Sequence, residues 1–133
     1  MSQRKPHIQV ACGIIHQNGL ILATQRPATA SLPLKWEFPG GKLEPGETPE
    51  ECLLRELQEE LGISVRIYQQ LEPLTHTYPD LTVTLYPFHC DQPEGELVLH
   101  EHQAARWMPP EHLQALDWAE ADLPLITALA RQS

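Results

Sequence analysis

The chain has 133 residues, 41% of them hydrophobic and 20% charged, and a formal net charge of -9 at pH 7. Length and composition favour one soluble globular domain over residues 1–133, and the negative charge argues against duplex nucleic acid as a partner. No apolar run approaches the roughly 20 residues of a membrane span, and the N-terminus lacks a signal-peptide pattern, so we expect a cytoplasmic protein without a membrane partner.

The N-terminal third predicts a β-hairpin followed by a glycine-rich turn. The apolar stretch 8–15 is typical of a mostly buried strand, and Asn18-Gly19 is a hairpin signal. The returning strand is predicted over 20–26. A short extended piece, 36–38, then runs into Pro39-Gly40-Gly41.

A helix is predicted after these glycines, with signals at both ends. Thr48 is a good N-cap, and Glu51 completes a Thr-x-x-Glu capping box. Gly62 is the residue expected just beyond the C-terminus. We expect an apolar stripe to dock the helix on a sheet, and its members are Leu53, Leu54, Leu57 and Leu61.

The same helix stacks three carboxylates. Glu56, Glu59 and Glu60 stand at positions i, i+3 and i+4, which share one face of a helix. Like charges at this spacing destabilise an isolated helix, so the cluster favours a compensating divalent cation. Mg²⁺ prefers oxygen ligands and commonly binds a few carboxylates together with substrate phosphates. A solvated acidic face is the alternative, but it explains neither the glycines at both ends nor the embedded Arg55.

Strands and helices interleave over the rest of the chain without regular βαβ repeats. The strand candidates are 64–69, 74–78, 81–90 and 104–108, and the helical segments are 112–116 and 123–131. This order favours the α+β class, as a sandwich with a mixed sheet.

The segment from Gly41 to Ile63 resembles the Nudix box, the signature of the Nudix hydrolases. The matching residues are Gly41, Glu47, Arg55-Glu56-Leu57, Glu59-Glu60 and Gly62-Ile63. The resemblance implies the Nudix fold, an α/β/α sandwich in which helices cover both faces of a central mixed sheet. It also implies that a metal-activated water hydrolyses the pyrophosphate bond of a nucleotide.

The resemblance assigns roles to individual residues. It implies that Mg²⁺, or Mn²⁺ in its place, is held by the backbone carbonyl of Gly40 and by carboxylates, namely Glu56, Glu59, Glu60 and Glu101. Arg55 is expected to orient these carboxylates, with Glu47 among its partners. Two residues remain open as the general base, Glu56 and Glu101. For Glu101 the alternative is an ordinary exposed loop acid.

Segments outside the box look like the MutT branch of the family, whose members cut damaged triphosphates such as 8-oxo-dGTP into the monophosphate and pyrophosphate. These segments are 24–27, 36–42, 103–107 and 121–126. By position, Arg26 and Phe38 match nucleotide-contacting residues of that branch. The alternatives are a surface arginine and a core phenylalanine.

Asp122 stands where the MutT type has a base-reading asparagine. An ionised carboxylate only accepts hydrogen bonds, whereas a buried, protonated one regains a donor. Together with the segment 100–104, this residue looks closer to CTP pyrophosphohydrolase, which implies cytidine or modified pyrimidine triphosphates as alternative substrates. A helix-capping role is the structural alternative for Asp122.

Two other functions stay open at this stage. One changes the substrate to ADP-ribose, a dinucleoside polyphosphate or capped RNA, and the other is a non-catalytic nucleotide-binding module. We expect a small-molecule nucleoside triphosphate as the ligand, and a monomer or weak homodimer as the state in solution.

Overall fold

A computed structural model describes residues 5–132, with side chains described as far as Leu129, around an eight-stranded sheet. The strands are β1 His7–Gln17, β2 Leu20–Gln25, β3 Trp36–Glu37, β4 Gly40–Lys42, β5 Ser64–Gln70, β6 Leu74–Thr77, β7 Thr82–Glu94 and β8 Ala104–Met108. The helices are α1 Pro49–Leu61 and α2 Leu123–Gln132, and 3-10 turns span Pro110–Ala115 and Glu120–Asp122. Residues 1–4 lie outside this range. They belong to the N-terminal segment whose lack of a signal-peptide pattern led to the expectation of a cytoplasmic protein.

The sheet is mixed, as predicted. β1 pairs with β7 in parallel along most of its length, from His7 opposite Thr82 to Ile15 opposite Cys90. The other pairs are antiparallel: β2 and β4 pair with β1, β3 and β8 with β2, and β5 and β6 with β7. The hairpin predicted between β1 and β2 is present, and Asn18 and Gly19 both have positive φ, as a tight turn of this kind requires.

Two hydrophobic cores lie on opposite faces of this sheet. Ile14 and Ile15 are adjacent on β1, so they point to opposite faces, and each belongs to a different core. The core of Ile15 contains the buried leucines of α1, whereas the core of Ile14 contains Leu125, Ile126 and Leu129 of α2. Helices therefore cover both faces, which confirms the predicted α/β/α sandwich.

Helix α1 begins and ends as its sequence predicts. Thr48 accepts a hydrogen bond from the N–H of Glu51, the side chain of Glu51 accepts one from the N–H of Thr48, and Gly62 is left-handed at φ 70°. The predicted stripe is wrong at Leu54, which is 43% exposed, while Cys52 is fully buried. At about 100° per residue, Leu54 falls just beyond the solvent edge of the buried arc.

Neither helix within residues 5–132 has the length and apolar composition that crossing a membrane would require.

Candidate active site

Two glycines of β4, Gly40 and Gly41, allow β1 and α1 to pack closely against this strand. A Cβ atom on Gly40 would overlap the backbone of Ala11 on β1, and one on Gly41 would overlap the carboxyl group of Glu56. Cys52 of α1 also donates its thiol hydrogen to the carbonyl of Gly41, at 3.3 Å. The absence of a side chain at Gly41 thus lets Glu56 lie directly against the strand.

Arg55 links the carboxylates of the site. Its guanidinium donates two hydrogen bonds to Glu47, with Nε 2.7 Å from Oε2 and Nη2 2.9 Å from Oε1. Nη1 lies 2.9 Å from Glu56 Oε1 and 3.1 Å from Glu59 Oε2. Hydrogen bonding to Arg55 lowers the pKa of Glu47 to about 2, and the same bond raises the pKa of Arg55. Arg55 therefore contacts Glu47, Glu56 and Glu59, which are carboxylates that it is expected to orient.

The three stacked carboxylates do not share one environment. The side chains of Glu56 and Glu60 are only 13% and 20% exposed, because they lie at the margin of the buried leucine stripe, whereas that of Glu59 is 61% exposed. Burial, followed by the negative charge of Glu101, raises the pKa of Glu60 to about 7. Negative charge is thus concentrated on the inner side of α1.

These donors fit a hard divalent cation. Among residues 5–129, no three His, Cys, Asp or Glu side chains already converge as a formed metal cage. The oxygens available at Glu56, Glu60 and Glu101 are nevertheless of the kind that Mg²⁺ prefers. A cation among them would also offset the repulsion from Glu101 that, after burial, raises the pKa of Glu60.

One cleft of about 690 Å³ brings most of the predicted site residues together. Its lining includes Arg26, Phe38, Gly40, Glu56, Glu60, Glu101 and Asp122. Arg55 and Glu59 are not part of this lining. We call Glu56, Glu60 and Glu101 the acidic end of the cleft, and Arg26, Phe38 and Asp122 its base-side end, after the nucleotide contacts that the sequence resemblance predicts for them. The volume of the cleft is typical of a small-molecule site.

Asp122 is buried at the base-side end, with 5% of its surface exposed. Its Oδ2 accepts a hydrogen bond from the backbone N–H of Phe38 at 3.2 Å, so the carboxyl group is tied across the fold to the strand region. Burial, and then the charge of Glu37, raises the pKa of Asp122 to about 8. This shift favours the protonated form at neutral pH, and in that form the second oxygen is able to donate.

Phe38 and Arg26 combine structural contacts with a place in the cleft. The ring of Phe38 packs against Trp118, with centroids 4.8 Å apart, so it belongs to the core and also lines the cleft. Arg26 donates to Glu37 at 3.0 Å and to the carbonyl of Ser31 at 2.6 Å. These two hydrogen bonds fix the orientation of the Arg26 side chain at the edge of the cleft.

Comparison with known proteins identifies the family. The family model described as the NUDIX domain matches residues 5–129. The chain belongs to the Nudix family. Its sequence is 42% identical to the 8-oxo-dGTP diphosphatase of Escherichia coli strain K12 over 125 residues, which cover 93% of this chain and 97% of that protein. It is 39% identical to the CTP pyrophosphohydrolase of the same strain over 121 residues, 91% of this chain and 90% of the relative.

A solved structure extends this similarity to three dimensions. The solution structure of the E. coli ORF135 protein superposes with a TM-score of 0.83 and 37% identity, covering 96% of this chain and 91% of the other. The predicted family, fold and enzyme class are confirmed, and this protein is a Nudix hydrolase of the MutT type.

Sequence reasoning assigned no individual role to two polar residues of this Nudix cleft. Glu37 and His102 line it side by side, with His102 Nε2 3.1 Å from Glu37 Oε2. Glu37 follows Trp36 in a two-residue strand, where no periodicity shows, and His102 lies in the loop before β8. In the sequence, His100 and His102 flank Glu101. This pattern did not indicate which side chain His102 contacts.

Proposed function

We propose that this Nudix hydrolase is a metal-dependent pyrophosphohydrolase that cleaves oxidised or modified nucleoside triphosphates, 8-oxo-dGTP in particular, into the monophosphate and pyrophosphate. The observation that carries the proposal is that the acidic end and the base-side end line one and the same cleft. A triphosphate with its base in one end would place its phosphates at the other. The similarity to an 8-oxo-dGTP diphosphatase over nearly the whole chain supports the same activity.

The acidic end would hold the phosphates through a divalent cation. We assign Mg²⁺, or Mn²⁺ in its place, to the carbonyl of Gly40 and to a carboxylate set of Glu56, Glu59, Glu60 and Glu101. A cation bound there neutralises phosphate oxygens and lowers the pKa of a bound water. Arg55 keeps the Glu56 carboxylate oriented through the 2.9 Å hydrogen bond. Glu56 and Glu101 are the two candidates for the base that takes the proton of the attacking water.

The base-side end would select the nucleobase through Asp122. With Oδ2 accepting from Phe38, a protonated Asp122 has one donor left for an acceptor on the base. Guanine O6 is such an acceptor, and so is the ring N3 of cytosine. Asp122 in place of asparagine, together with the similarity to a CTP pyrophosphohydrolase, therefore favours CTP or dCTP as the second candidate substrate.

We propose a cytoplasmic enzyme that acts on free nucleotides as a monomer or weak homodimer, without duplex nucleic acid or a membrane as partner. A non-catalytic nucleotide-binding module is the remaining alternative. It would bind a nucleotide without hydrolysing it, so a measurement of turnover distinguishes it from the enzyme.

A substrate panel tests the proposal. Pyrophosphate release in the presence of Mg²⁺ is measured for 8-oxo-dGTP, dGTP, dCTP, CTP and 5-methyl-dCTP, and kcat/KM is compared. We expect the highest value for 8-oxo-dGTP and loss of turnover when the metal is chelated. A higher kcat/KM for the cytidine nucleotides than for 8-oxo-dGTP would make CTP or dCTP the proposed substrate instead. Nucleotide binding without pyrophosphate release from any of them would exclude both enzymes and favour the binding module.

A further inference from the structure

Asp122 lies at the end of a short turn that a neighbouring hairpin supports. The 3-10 turn Glu120–Asp122 has three residues, and no side chain caps its start. The N–H of Asp122 donates to the carbonyl of Ala119 at 3.0 Å. The N–H of Ala121 donates instead to the side-chain hydroxyl of Tyr78, also at 3.0 Å. Turns of this kind have poor hydrogen-bond geometry of their own, so contacts from other elements determine where they lie.

Tyr78 belongs to the loop that connects β6 to β7. Its backbone N–H donates to the carbonyl of Leu81 at 2.7 Å, and this hydrogen bond closes the loop. Its ring packs edge-on against that of His76 on β6, with centroids 4.6 Å apart. The Tyr78 hydroxyl is therefore presented by a side chain that is fixed at both its backbone and its ring.

The hydrogen bond from Ala121 to Tyr78 is the more important of two that join this hairpin to the turn. The other pairs His76 Nε2 with Glu120 Oε2 at 3.2 Å, and the Glu120 side chain is 65% exposed. Exposed pairs of this kind contribute little to stability. Ala121 is buried, and a buried backbone N–H that loses its acceptor is costly. The Tyr78 hydroxyl is therefore the group that keeps the turn against the hairpin.

Asp122 is consequently held from two directions. Its Oδ2 accepts from the N–H of Phe38 at 3.2 Å, and the residue before it is bound to Tyr78. Tyr78, Ala121 and Asp122 all line the cleft. Within residues 5–129, by contrast, Tyr78 forms no hydrogen bond with the acidic end. A change at the Tyr78 hydroxyl thus acts on the base-side end.

We propose that Tyr78 is a positioning residue for the choice of substrate, because its hydroxyl holds the turn that places the Asp122 carboxyl group in the cleft. This inference rests on the function proposed above, in which Asp122 selects the base. Hydrogen bonds weaken steeply when their distance and angle depart from the preferred values. A turn freed from Tyr78 would shift the Asp122 carboxyl group relative to the base. Discrimination between bases would then change, while hydrolysis at the acidic end proceeds.

Tyr78→Phe tests this role, because it removes the hydroxyl and keeps the ring that packs on His76. Tyr68→Phe is the matched control, since it removes the same group from an exposed tyrosine of β5. The Tyr68 hydroxyl makes no hydrogen bond in the part of the chain that the structure describes. Amide hydrogen exchange without nucleotide reports the position of the turn. The ratio of kcat/KM between 8-oxo-dGTP and CTP reports the choice of substrate.

We expect Tyr78→Phe to speed exchange of the Ala121 amide, which loses its acceptor. The Phe38 amide should also exchange faster, because its acceptor is the shifted Asp122 carboxyl group. Exchange at Leu57, buried on α1, should keep the wild-type rate, which would show that the whole fold has not loosened. The ratio of kcat/KM should change several-fold, with a smaller change in kcat for the better substrate. The control variant should match the wild type in all of these measurements.

Three results would overturn the proposal. A changed ratio with wild-type exchange at Phe38 would show that Tyr78 contacts the base directly. Faster exchange with an unchanged ratio would show that the hydroxyl serves the fold alone, and no change in either would show that it positions nothing.

Failure of the proposed function is seen separately, as a wild-type protein that releases no pyrophosphate from any nucleotide. In that case amide exchange still decides whether Tyr78 holds Asp122. The ratio of Kd values for 8-oxo-dGTP and CTP then replaces the ratio of kcat/KM, and the same three results overturn the proposal.

Discussion

The acidic end and the base-side end of the cleft are built in different ways. Two of the three residues of the acidic end, Glu56 and Glu60, come from α1, and Glu101 joins them from a loop. The base-side end takes Arg26 from the end of β2, Phe38 from the turn after β3, and Asp122 from a position 84 residues further along. Chemistry that depends on close spacing is thus carried by a local motif. The proposed recognition of the base is left to residues that meet only in the folded protein.

This difference predicts that a change at the acidic end affects every substrate equally. Glu56→Gln is expected to lower kcat on the order of 10³-fold for all nucleotides, because Glu56 is both a proposed metal ligand and a candidate general base. The measurement is kcat across the substrate panel, with Tm recorded to show that the fold is retained.

Glu50→Gln is the matched control, since Glu50 is exposed on the first turn of the same helix. Unchanged kcat in Glu56→Gln would show that Glu56 takes no part in the reaction and would contradict the role proposed for the acidic end.

The packing of Glu56 against β4 is tested by Gly41→Ala. The added methyl group would overlap the Glu56 carboxyl, so we expect the carboxylate to be displaced and kcat to fall on the order of 10²-fold. Gly13→Ala on β1 is the control, because a Cβ there would meet its nearest neighbour, a methyl group of Leu53, at 3.4 Å. If both variants keep wild-type kcat, the close approach of Glu56 to Gly41 is not needed for turnover.

The base-side end is expected to act on the choice of substrate. Asp122→Asn should change the ratio of kcat/KM between 8-oxo-dGTP and CTP roughly tenfold, the effect of about one hydrogen bond, and change kcat on the best substrate less. Because burial raises the pKa of Asp122 to about 8, the wild type should lose its donor as pH rises through that value. The wild-type ratio should then depend on pH between 7 and 9, while that of Asp122→Asn should not. Equal losses on all substrates would contradict a base-reading role.

The same contrast explains which parts of the site could be predicted. The capping box at Thr48, the left-handed Gly62 and the spacing of the three glutamates depend on near neighbours in sequence, so they could be recognised without a fold. The exposure of Leu54 and of Glu59 could not, because the edge of the buried arc of α1 depends on which strands it contacts. Both residues carry the helical spacing of their buried neighbours.

The sequence by itself determined the family, the sandwich of helices on a mixed sheet, and a carboxylate cluster suited to a divalent cation. Each of these follows from short-range patterns, namely helical periodicity, caps and the fixed spacing of the Nudix box. Only the tertiary structure decided that Asp122 is buried against Phe38 and that His102 lies between Glu37 and Glu60. The physical reason is that desolvation and charge act through space, and strand pairing brings those groups within a few ångströms of one another.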